Sequence, residues 1–510
     1  MVVPRSPIGV AGVVAALSVT SDLTRGHPAG EAMRACLLGT ELARRAGLDA
    51  GRHSDVFYTC LLRFAGCAAT SHEIAVALGG DDIVVRARGD LIDATRPAEA
   101  LRFLAGLGHG ADRLRILGRF PGAPRLFAEA ARADCEVGAD LTGRLGLPDT
   151  VRRAVLDGFE RFDGRGAPAG RSGEEVAEAA RFAAVAFAGV MFDAVGGVTL
   201  ADDVVRQWTG RALDPTIAAI FLDAPAELLT IAASDDVWSA VVDAEPEPRR
   251  TFLDERLLDE ALAGFGDAAD LKAPWFSGHS GGVARLARAA AGAVAGSADA
   301  RQVYRAGLVH DLGRVAVPTG VWERPGPLRP EDWESVRLHP YHSARILARC
   351  PVLAPLGAIA HRHHERVDGS GYPAGVRASE LDPAACLLAA ADVLHALGEP
   401  RPHRAALDRA AAARVLTTLP LARDAIRAVL DAAGAPPPAL PALPADLTER
   451  ELQVLRRLVA GRTKREIAAE LVISHSTVHT HTVHIYGKCG VSTRAALAMF
   501  AMRHGLAEID

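Results

Sequence analysis

The chain has 510 residues, of which 49% are hydrophobic and 23% charged, a balance that allows three or four domains with buried cores. This composition excludes a disordered scaffold, a collagen-like rod and a disulfide-stapled miniprotein. The formal net charge of −5 excludes a strong overall attraction to nucleic acid or anionic lipid, so any nucleic-acid contact must come from a local element.

The first part of the chain shows no sign of export. Its most apolar run, residues 8–19, is too short to span a bilayer and predicts a core helix, not a signal peptide. The seven cysteines are scattered and form no Cys-x-x-Cys pair, which is typical of reduced thiols. We therefore expect a cytoplasmic protein with no membrane partner.

Apolar residues recur at helical spacing along most of the chain, and no series of hairpins appears, so the predicted fold class is all-α. Five prolines between positions 436 and 444 favour an extended spacer, and a weaker break lies near residues 243–250. These breaks predict a first helical half, a second helical half, a Pro-rich linker and a C-terminal module, at residues 1–243, 250–432, 433–445 and 446–510.

An internal duplication relates the two helical halves. The segment ERFDGRGAP at 160–168 mirrors ERVDGSGYP at 365–373, an offset of 205 residues, and residues 134–141 match residues 339–346 at the same offset. Further back, LLRFAG at 61–66 faces VHDLG at 309–313, and His27 faces His279. The two halves are thus predicted to be copies of one helical domain.

The second copy concentrates residue types that bind metals. A single histidine on a helix is more often solvated than a ligand, but seven such residues in one domain make that interpretation untenable as a whole. Imidazole nitrogen with carboxylate oxygen suits iron, manganese or zinc, and one carboxylate can bridge two ions that together clamp a phosphodiester. The residues are His279, His310, Asp311, His339, His363, His364 and Asp392.

The first copy lacks this donor set, and only His27 survives as a matching imidazole. An arginine and two phenylalanines cannot build a dinuclear site, so we predict that this half is metal-free and serves a regulatory or structural role. The replacements are Arg63 and Phe64 for His310 and Asp311, Asp134 for His339, Gly158 and Phe159 for His363 and His364, and Val190 for Asp392.

Residues 275–405 closely resemble the HD-GYP family, helical phosphodiesterases that hydrolyse cyclic di-GMP. The matching motifs are HDLGRVAVP (310–318), ERPGPL (323–328), LHP (338–340), HRHHERVDGSGYPAG (361–375), ADVLHAL (391–397) and RPHR (401–404). The resemblance implies that both halves have the HD-domain fold and that the seven residues above are metal ligands. It also places Arg401 and Arg404 on substrate phosphates, and implies that the segment 371–373 contacts a diguanylate cyclase.

Three departures from the family pattern refine this expectation. Trp275 stands where some members have a glutamate that binds a third metal, so we expect two divalent ions, iron or manganese, with zinc as the alternative. Arg314 replaces a lysine and is still cationic but unable to act as an acid, so the catalytic residues are expected to be Asp311 and Arg314, the latter with an electrostatic role near the bridging water or a phosphate. His395 and His403 replace an aspartate and a tyrosine, which puts rate and substrate preference in question.

The C-terminal module carries two capping-box signatures, Thr448 with Glu451 and Thr463 with Glu466, and Ser474 can cap a further helix. Its sequence closely resembles the LuxR-type helix-turn-helix DNA-binding domain, which implies binding to DNA as a homodimer. His479, Thr480 and Val483 are expected to face the bases. Candidates for phosphate contacts are Lys464, Arg465, Lys488 and Arg494.

Two functions remain open from the sequence. In the first, the protein hydrolyses cyclic di-GMP to linear pGpG or GMP with a dinuclear metal centre and couples this to transcription. In the second, it is a one-component transcription regulator whose HD-GYP domain binds a nucleotide without useful turnover. A weaker third option keeps the hydrolase but changes the nucleotide.

Overall fold

The computed structural model describes residues 8–107, 116, 123–247, 252–293, 299–434 and 443–507. The described chain is almost entirely helical, which confirms the predicted all-α class. Its only strands within these ranges are Ile8–Gly9 and Phe252–Leu253, which pair antiparallel. The chain divides into two compact units, Met1–Ala261 and Leu262–Asp510. The division falls inside a helix, later in the chain than the break inferred near residues 243–250.

The first unit contains the apolar helix Val10–Arg25, which is buried along nearly its whole length. This helix includes most of the apolar run 8–19, as predicted. Helices Glu31–Arg45, Ala50–Leu62 and Glu178–Trp208 pack against one another to form its core. The remaining helices in its described part are Ser71–Leu78, Asp82–Gly89, Pro97–Ala105, Ala123–Arg144, Asp149–Leu156, Pro215–Asp223, Pro225–Ala232 and Val237–Asp243, with short 3-10 turns at Cys67–Thr70 and Gly173–Glu175.

Helix Glu178–Trp208 is long and apolar enough to cross a membrane by length and composition. It is interrupted, however, by non-helical backbone at Gly196 and Gly197, and its first part is buried inside the unit. A buried core helix passes the same test, so this helix is weak support for a membrane span, and the cytoplasmic location stays a prediction.

The second unit contains the predicted ligands. Its helix His279–Ala293 packs against helices Ala300–Val309 and Pro383–Leu397. The other helices here are Glu255–Asp270, Thr319–Trp322, Pro330–Arg337, His339–Ala348, Ala354–Ala360, Arg409–Thr418 and Arg423–Gly434, and the 3-10 turns are Pro274–Phe276, Leu312–Ala316 and Ala378–Glu380. Most of the Pro-rich linker lies outside the described residues.

The C-terminal module follows the 3-10 turn Pro444–Asp446 with four short helices, Glu449–Val459, Lys464–Leu471, His475–Cys489 and Arg494–Arg503. Both predicted capping boxes form, and Ser474 caps the third helix through the backbone N–H of Thr477. Val478, Thr482 and Ile485 are buried. The three predicted helix caps of this module are therefore confirmed. All seven cysteines of the chain are free thiols.

The two halves share a close backbone contact at matching positions. A Cβ built on Gly66 would lie 2.0 Å from the carbonyl oxygen of Asp134, and one built on Gly313 would lie 2.1 Å from that of His339. No side chain fits in either place, so both glycines are required for the approach of two segments. The matched contacts support the sequence alignment of the two halves, including the pairing of Asp134 with His339.

The loop that follows Gly158 and Phe159 and the loop that follows His363 and His364 are held by the same kind of contact. Glu160 accepts hydrogen bonds from the backbone N–H groups of Ala169 and Arg171. Glu365 accepts them from Ala374, Gly375 and Val376. The duplicated sequences thus keep one backbone scaffold in both halves, while the side chains that this scaffold presents have diverged.

Candidate metal centre

The seven predicted ligands come from five separate segments and meet in the interior of the second unit. Four of them lie at helix boundaries, where a side chain is free to point along the axis: His279 and His339 begin their helices, and His310 and Asp311 follow Ala300–Val309. Asp392 projects from the middle of Pro383–Leu397. All but His364 are buried, and that side chain is 18% exposed.

Asp311 stands at the middle of this group, and its two oxygens face different neighbours. Oδ2 lies 2.9 Å from His310 Nε2 and 3.4 Å from His279 Nε2. Oδ1 lies 3.0 Å from His339 Nε2 and 3.6 Å from His363 Nε2. One carboxylate therefore separates two sets of nitrogen donors, as a carboxylate that bridges two ions would.

Asp392 and His364 complete the two sets. Asp392 Oδ1 lies 3.2 Å from His279 Nε2, so it joins the set that faces Asp311 Oδ2. Its other oxygen lies 3.8 Å from His364 Nδ1. His364 can bring a ligand atom within 4.8 Å of those of His339 and His363, which places it in the set that faces Oδ1.

The backbone fixes which ring nitrogen of three histidines faces the centre. Nδ1 of His310, His339 and His363 lies 2.6–2.7 Å from the carbonyl oxygen of the residue three positions earlier. When Nδ1 donates its proton there, Nε2 is left with a lone pair directed at Asp311. This is the tautomer that a metal ligand requires.

Charge and burial fit cations at this centre. Nε2 of His279 and of His310 and both oxygens of Asp311 are buried without a hydrogen bond, an arrangement that costs free energy unless another group satisfies them. Burial opposes ionisation of Asp311, but Arg314 and His310 outweigh it and hold the pKa of Asp311 well below its usual value. Burial lowers the pKa of His364 and of His339, which keeps both imidazoles neutral.

The sequence reasoning missed Glu399, whose Oε2 lies 2.9 Å from His279 Nδ1. This carboxylate does for His279 what backbone carbonyls do for the other histidines: it orients the ring and raises the basicity of Nε2. His395 Nε2 lies 3.3 Å from its other oxygen. In the sequence Glu399 is marked only by following His395 at four positions, just beyond the end of helix Pro383–Leu397, and its contact with His279 depends on the fold.

Replacement of Glu399 with glutamine is expected to weaken metal affinity by roughly tenfold to a hundredfold, since His279 loses a charged partner while its own donor atom remains. Titration of the metal-free protein with Mn²⁺, followed by calorimetry, measures this. Glu334→Gln, the same change at an exposed ion pair with Arg337, should leave the affinity unaltered. Equal affinities for all three proteins would contradict the role given to Glu399.

The predicted phosphate-binding arginines have different surroundings. Arg401 is nearly buried, donates to Glu399 over 2.7 Å and has Nη1 without a partner; burial lowers its pKa to about 10, so it stays charged at neutral pH. Arg314 contacts Asp311, its Nη1 lies 4.0 Å from Asp270 Oδ1, and its Nε has no hydrogen bond. Arg404 instead donates to backbone carbonyls of residues 396, 397, 399 and 405. The role of Arg404 in binding a substrate phosphate stays a prediction, and these contacts do not favour it because its N–H groups already bind backbone carbonyls.

The first unit fills the equivalent region with ion pairs. His27, the counterpart of His279, has its two ring nitrogens 2.8 Å from Glu31 and 3.1 Å from Asp90. Burial opposes protonation of His27, but the bonds with Asp90 and Glu31 outweigh it and raise its pKa to about 9. Arg25 pairs with the same two carboxylates and lies 3.7 Å from the ring centre of Phe64.

The residue that replaces His339 in the first unit is also paired with a cation. Asp134 accepts hydrogen bonds from Arg86 and Thr70 at 3.1 and 2.9 Å. A protonated His27 has no free ring nitrogen to bind an ion, and the oxygens of Asp134 are already engaged by Arg86 and Thr70. The contacts of these side chains agree with the prediction of a half without a metal centre, which stays a prediction.

The outer face of helix His475–Cys489 presents the residues predicted to read DNA. His479, Thr480 and Val483 are exposed, the last at 56%, and Lys464 Nζ lies 3.0 Å from His479 Nδ1. Lys488 instead binds Glu451 and the carbonyl oxygen of Asp446. Arg465 is exposed and Arg494 begins the last helix. Lys488 can reach a phosphate only if its bond with Glu451 breaks. The side chains of Lys464, Arg465 and Arg494 are all at least partly exposed.

Comparison with known proteins identifies the two kinds of domain. Residues 265–420 match the family model described as HD domain, and residues 445–501 match bacterial regulatory proteins of the luxR family. The chain is 27% identical over 417 residues to 3′3′-cGAMP-specific phosphodiesterase 3 of Vibrio cholerae, covering 80% of this chain and 90% of that protein. It is 36% identical over 115 residues to a cyclic di-GMP phosphodiesterase of Pseudomonas aeruginosa, covering 22% of this chain and 28% of that protein.

A solved structure shows the same fold over most of the chain. The crystal structure of a cyclic GMP-AMP-specific phosphodiesterase of V. cholerae aligns with a TM-score of 0.58 and 22% identity, covering 85% of this chain and 99% of that one. A match of this extent includes the first unit as well as the HD domain. The likeness in fold therefore extends over residues of both units.

Proposed function

Because this chain joins an HD domain related to the HD-GYP cyclic dinucleotide phosphodiesterases to a C-terminal LuxR-family domain, we propose that it is a metal-dependent phosphodiesterase of cyclic purine dinucleotides that also binds DNA. The observation that carries the proposal is the position of Asp311, with each carboxylate oxygen facing its own set of donors. We propose cyclic di-GMP as substrate and pGpG or GMP as product.

We assign the first ion to His279, His310, Asp311 and Asp392, and the second to Asp311, His339, His363 and His364. Iron and manganese suit these nitrogen and oxygen donors, and zinc is the alternative. Two such ions would supply Lewis-acid stabilisation of the charged phosphate oxygens and would lower the pKa of a water molecule. Asp311 would contribute a ligand oxygen to each of the two sites.

The neighbouring cations fit the phosphates of such a substrate. Arg314 is buried and Arg401 nearly so, and each has at least one N–H group without a hydrogen bond. A buried guanidinium interacts strongly with a phosphodiester because little water screens it, and its charge persists through the reaction. In this proposal Arg314 acts next to Asp311, and Arg401 holds the second phosphate.

Aromatic side chains next to the centre suit the bases. The Tyr372 ring stacks on His364 at 4.7 Å, and Trp333 lies 5.8 Å from Tyr372 with 43% of its surface exposed. Purine bases stack on such rings. Stacking on these rings does not discriminate between guanine and adenine. The V. cholerae relative that matches over 90% of its length is named for 3′3′-cGAMP. That dinucleotide is therefore the second candidate substrate.

The test is hydrolysis by purified full-length protein loaded with Mn²⁺, with cyclic di-GMP and 3′3′-cGAMP as separate substrates and products separated by chromatography. We expect linear product from cyclic di-GMP, and the ratio of the two kcat/KM values ranks the candidates. His339→Gln should abolish turnover, whereas His342→Gln on the same helix should retain it. Binding of both nucleotides without product would instead support a sensor that does not turn over its ligand.

The C-terminal domain gives the protein its second activity in this proposal, through His479, Thr480 and Val483 on the exposed helix face and basic residues beside it. Two modules on one duplex would read more base pairs than one. Binding as a homodimer, and a contact between the 371–373 segment and a diguanylate cyclase, remain predictions.

A further inference from the structure

Residues 273–278, which we call the strap, immediately precede His279 and include the 3-10 turn Pro274–Phe276. One side of the strap supports the proposed phosphate-binding cations. The guanidinium carbon of Arg314 lies 3.7 Å from the ring centre of Phe276, and that of Arg401 lies 4.4 Å from the ring centre of Trp275. Both cations therefore rest on aromatic rings of one six-residue segment.

The other side of the strap contacts the C-terminal module. The backbone N–H of Gly278 lies 3.1 Å from the sulfur of Met502, and a Cβ on Gly278 would meet the Cβ of Ala507 at 3.3 Å. A Cβ on Gly461 would come within 2.9 Å of Pro274. The backbones approach this closely because two of these positions are glycines with positive φ, which other residues adopt at a cost.

The contacting residues of the module lie away from its exposed helix face. Gly461 follows helix Glu449–Val459, and Met502 and Ala507 lie at the end of the chain, whereas Val483 on helix His475–Cys489 remains open to solvent. The strap therefore contacts residues of the module that are not on helix His475–Cys489, which carries the residues proposed to read DNA. A proline-rich linker alone would set a distance but no orientation, whereas contacts such as that of Gly278 with Met502 can restrict the orientation of the module.

We infer that the strap is a docking surface whose partner is the chain's own DNA-binding module, and that it couples the nucleotide site to DNA binding. A nucleotide whose phosphates take up Arg314 and Arg401 draws these cations from the rings of Phe276 and Trp275. The strap then loses the contacts of Phe276 and Trp275 with the two arginines, and its contacts with the module weaken as a result. Since coupling between two sites is reciprocal, DNA alters nucleotide affinity by the same factor.

This inference rests on the proposed function for the choice of nucleotide, whereas the docking itself does not. The chain has five methionines, so the methyl groups can be labelled with ¹³C and followed individually by NMR. Met502 reports on the strap, Met499 on the interior of the module, and Met33 on the first unit. A phosphorothioate analogue of cyclic di-GMP serves as the nucleotide, and a duplex selected by the full chain from a random library serves as the DNA.

We expect the analogue to shift the Met502 signal without moving that of Met33, and to change DNA affinity at least fivefold. Ala507→Glu places a longer charged side chain against Gly278 and should release the module. In that variant the Met502 signal is shifted before nucleotide is added, and DNA affinity no longer responds to it. Ala507→Ser, a small change at the same position, should behave as the parent chain does.

The possible failures are distinguishable. Hydrolysis of cyclic di-GMP with an unchanged Met502 signal and unchanged DNA affinity overturns the coupling and leaves the proposed function intact. Absence of nucleotide binding overturns both. A Met502 signal that is the same in the parent chain and in Ala507→Glu shows that the module does not dock on the strap, whatever the nucleotide does.

Discussion

Replacement of Asp311 with asparagine is expected to lower kcat/KM for the cyclic dinucleotide by about a thousandfold or more, a loss of ~4 kcal/mol of transition-state stabilisation. The amide keeps the shape of the side chain but removes its charge. It also directs an N–H donor at one of the two donor sets, either towards His310 or towards His339. The measurement is steady-state hydrolysis at saturating Mn²⁺, together with metal content per chain by mass spectrometry.

The metal content separates a damaged centre from an unfolded protein. We expect it to fall below two ions per chain while the helical circular dichroism is retained. Asp299→Asn provides the matched control, because Asp299 caps helix Ala300–Val309 and asparagine caps helices about as well as aspartate. An Asp311→Asn protein that binds two ions and turns over at the parent rate would remove the basis for the proposed centre.

Much of this centre could be predicted from the sequence because its residues stand in short motifs that the duplication and the family resemblance both mark. The convergence of His279, His339 and Asp392 depends on helix packing, yet each could be identified separately. The helices of the C-terminal module were equally accessible, since a capping box such as Thr448 with Glu451 and an apolar stripe are local features.

Residues whose roles arise only from tertiary contact could not be predicted in the same way. Glu399 acts through His279, which lies 120 positions earlier in the chain. Arg404 carries the charge expected of a phosphate ligand, but the surrounding loop offers it several backbone carbonyls. Phe276 was unremarkable in the sequence because only the fold places Arg314 over its ring. Long-range pairs of this kind leave no periodic signal.

The first unit shows the same limit more sharply. The sequence indicates which ligands are lost there, at Arg63 and Phe64, but not what replaces their interactions. Arg25 and Asp90, which lie 65 positions apart, match no ligand of the second copy, so the sequence alone does not link them. The fold nevertheless brings them together beside His27 and Phe64. A guanidinium lies over the ring that stands in the position of the central aspartate.

Replacement of Arg25 with alanine is expected to destabilise the first unit by about 3–5 kcal/mol, because Glu31 and Asp90 lose the cation that compensates them. The side chains of Arg25 and Glu31 are each only 3% exposed, so water cannot take over this role. Hydrogen exchange followed by mass spectrometry measures the effect within the full chain. The slowest amides of helix Val10–Arg25 should exchange about a hundredfold faster or more, while those of the C-terminal module stay unchanged.

Two further variants separate charge from packing. Arg44→Ala removes an arginine that pairs with Glu41 at the surface, and its exchange rates should match those of the parent chain. Adding Glu31→Gln and Asp90→Asn to Arg25→Met should recover part of the lost stability, since neutral groups no longer need a buried cation. If the triple variant is as unstable as Arg25→Ala, the arginine acts through its contact with Phe64 and not through its charge. Recovery would mean that a guanidinium offsets buried carboxylates in one copy, where divalent ions are proposed to do so in the other.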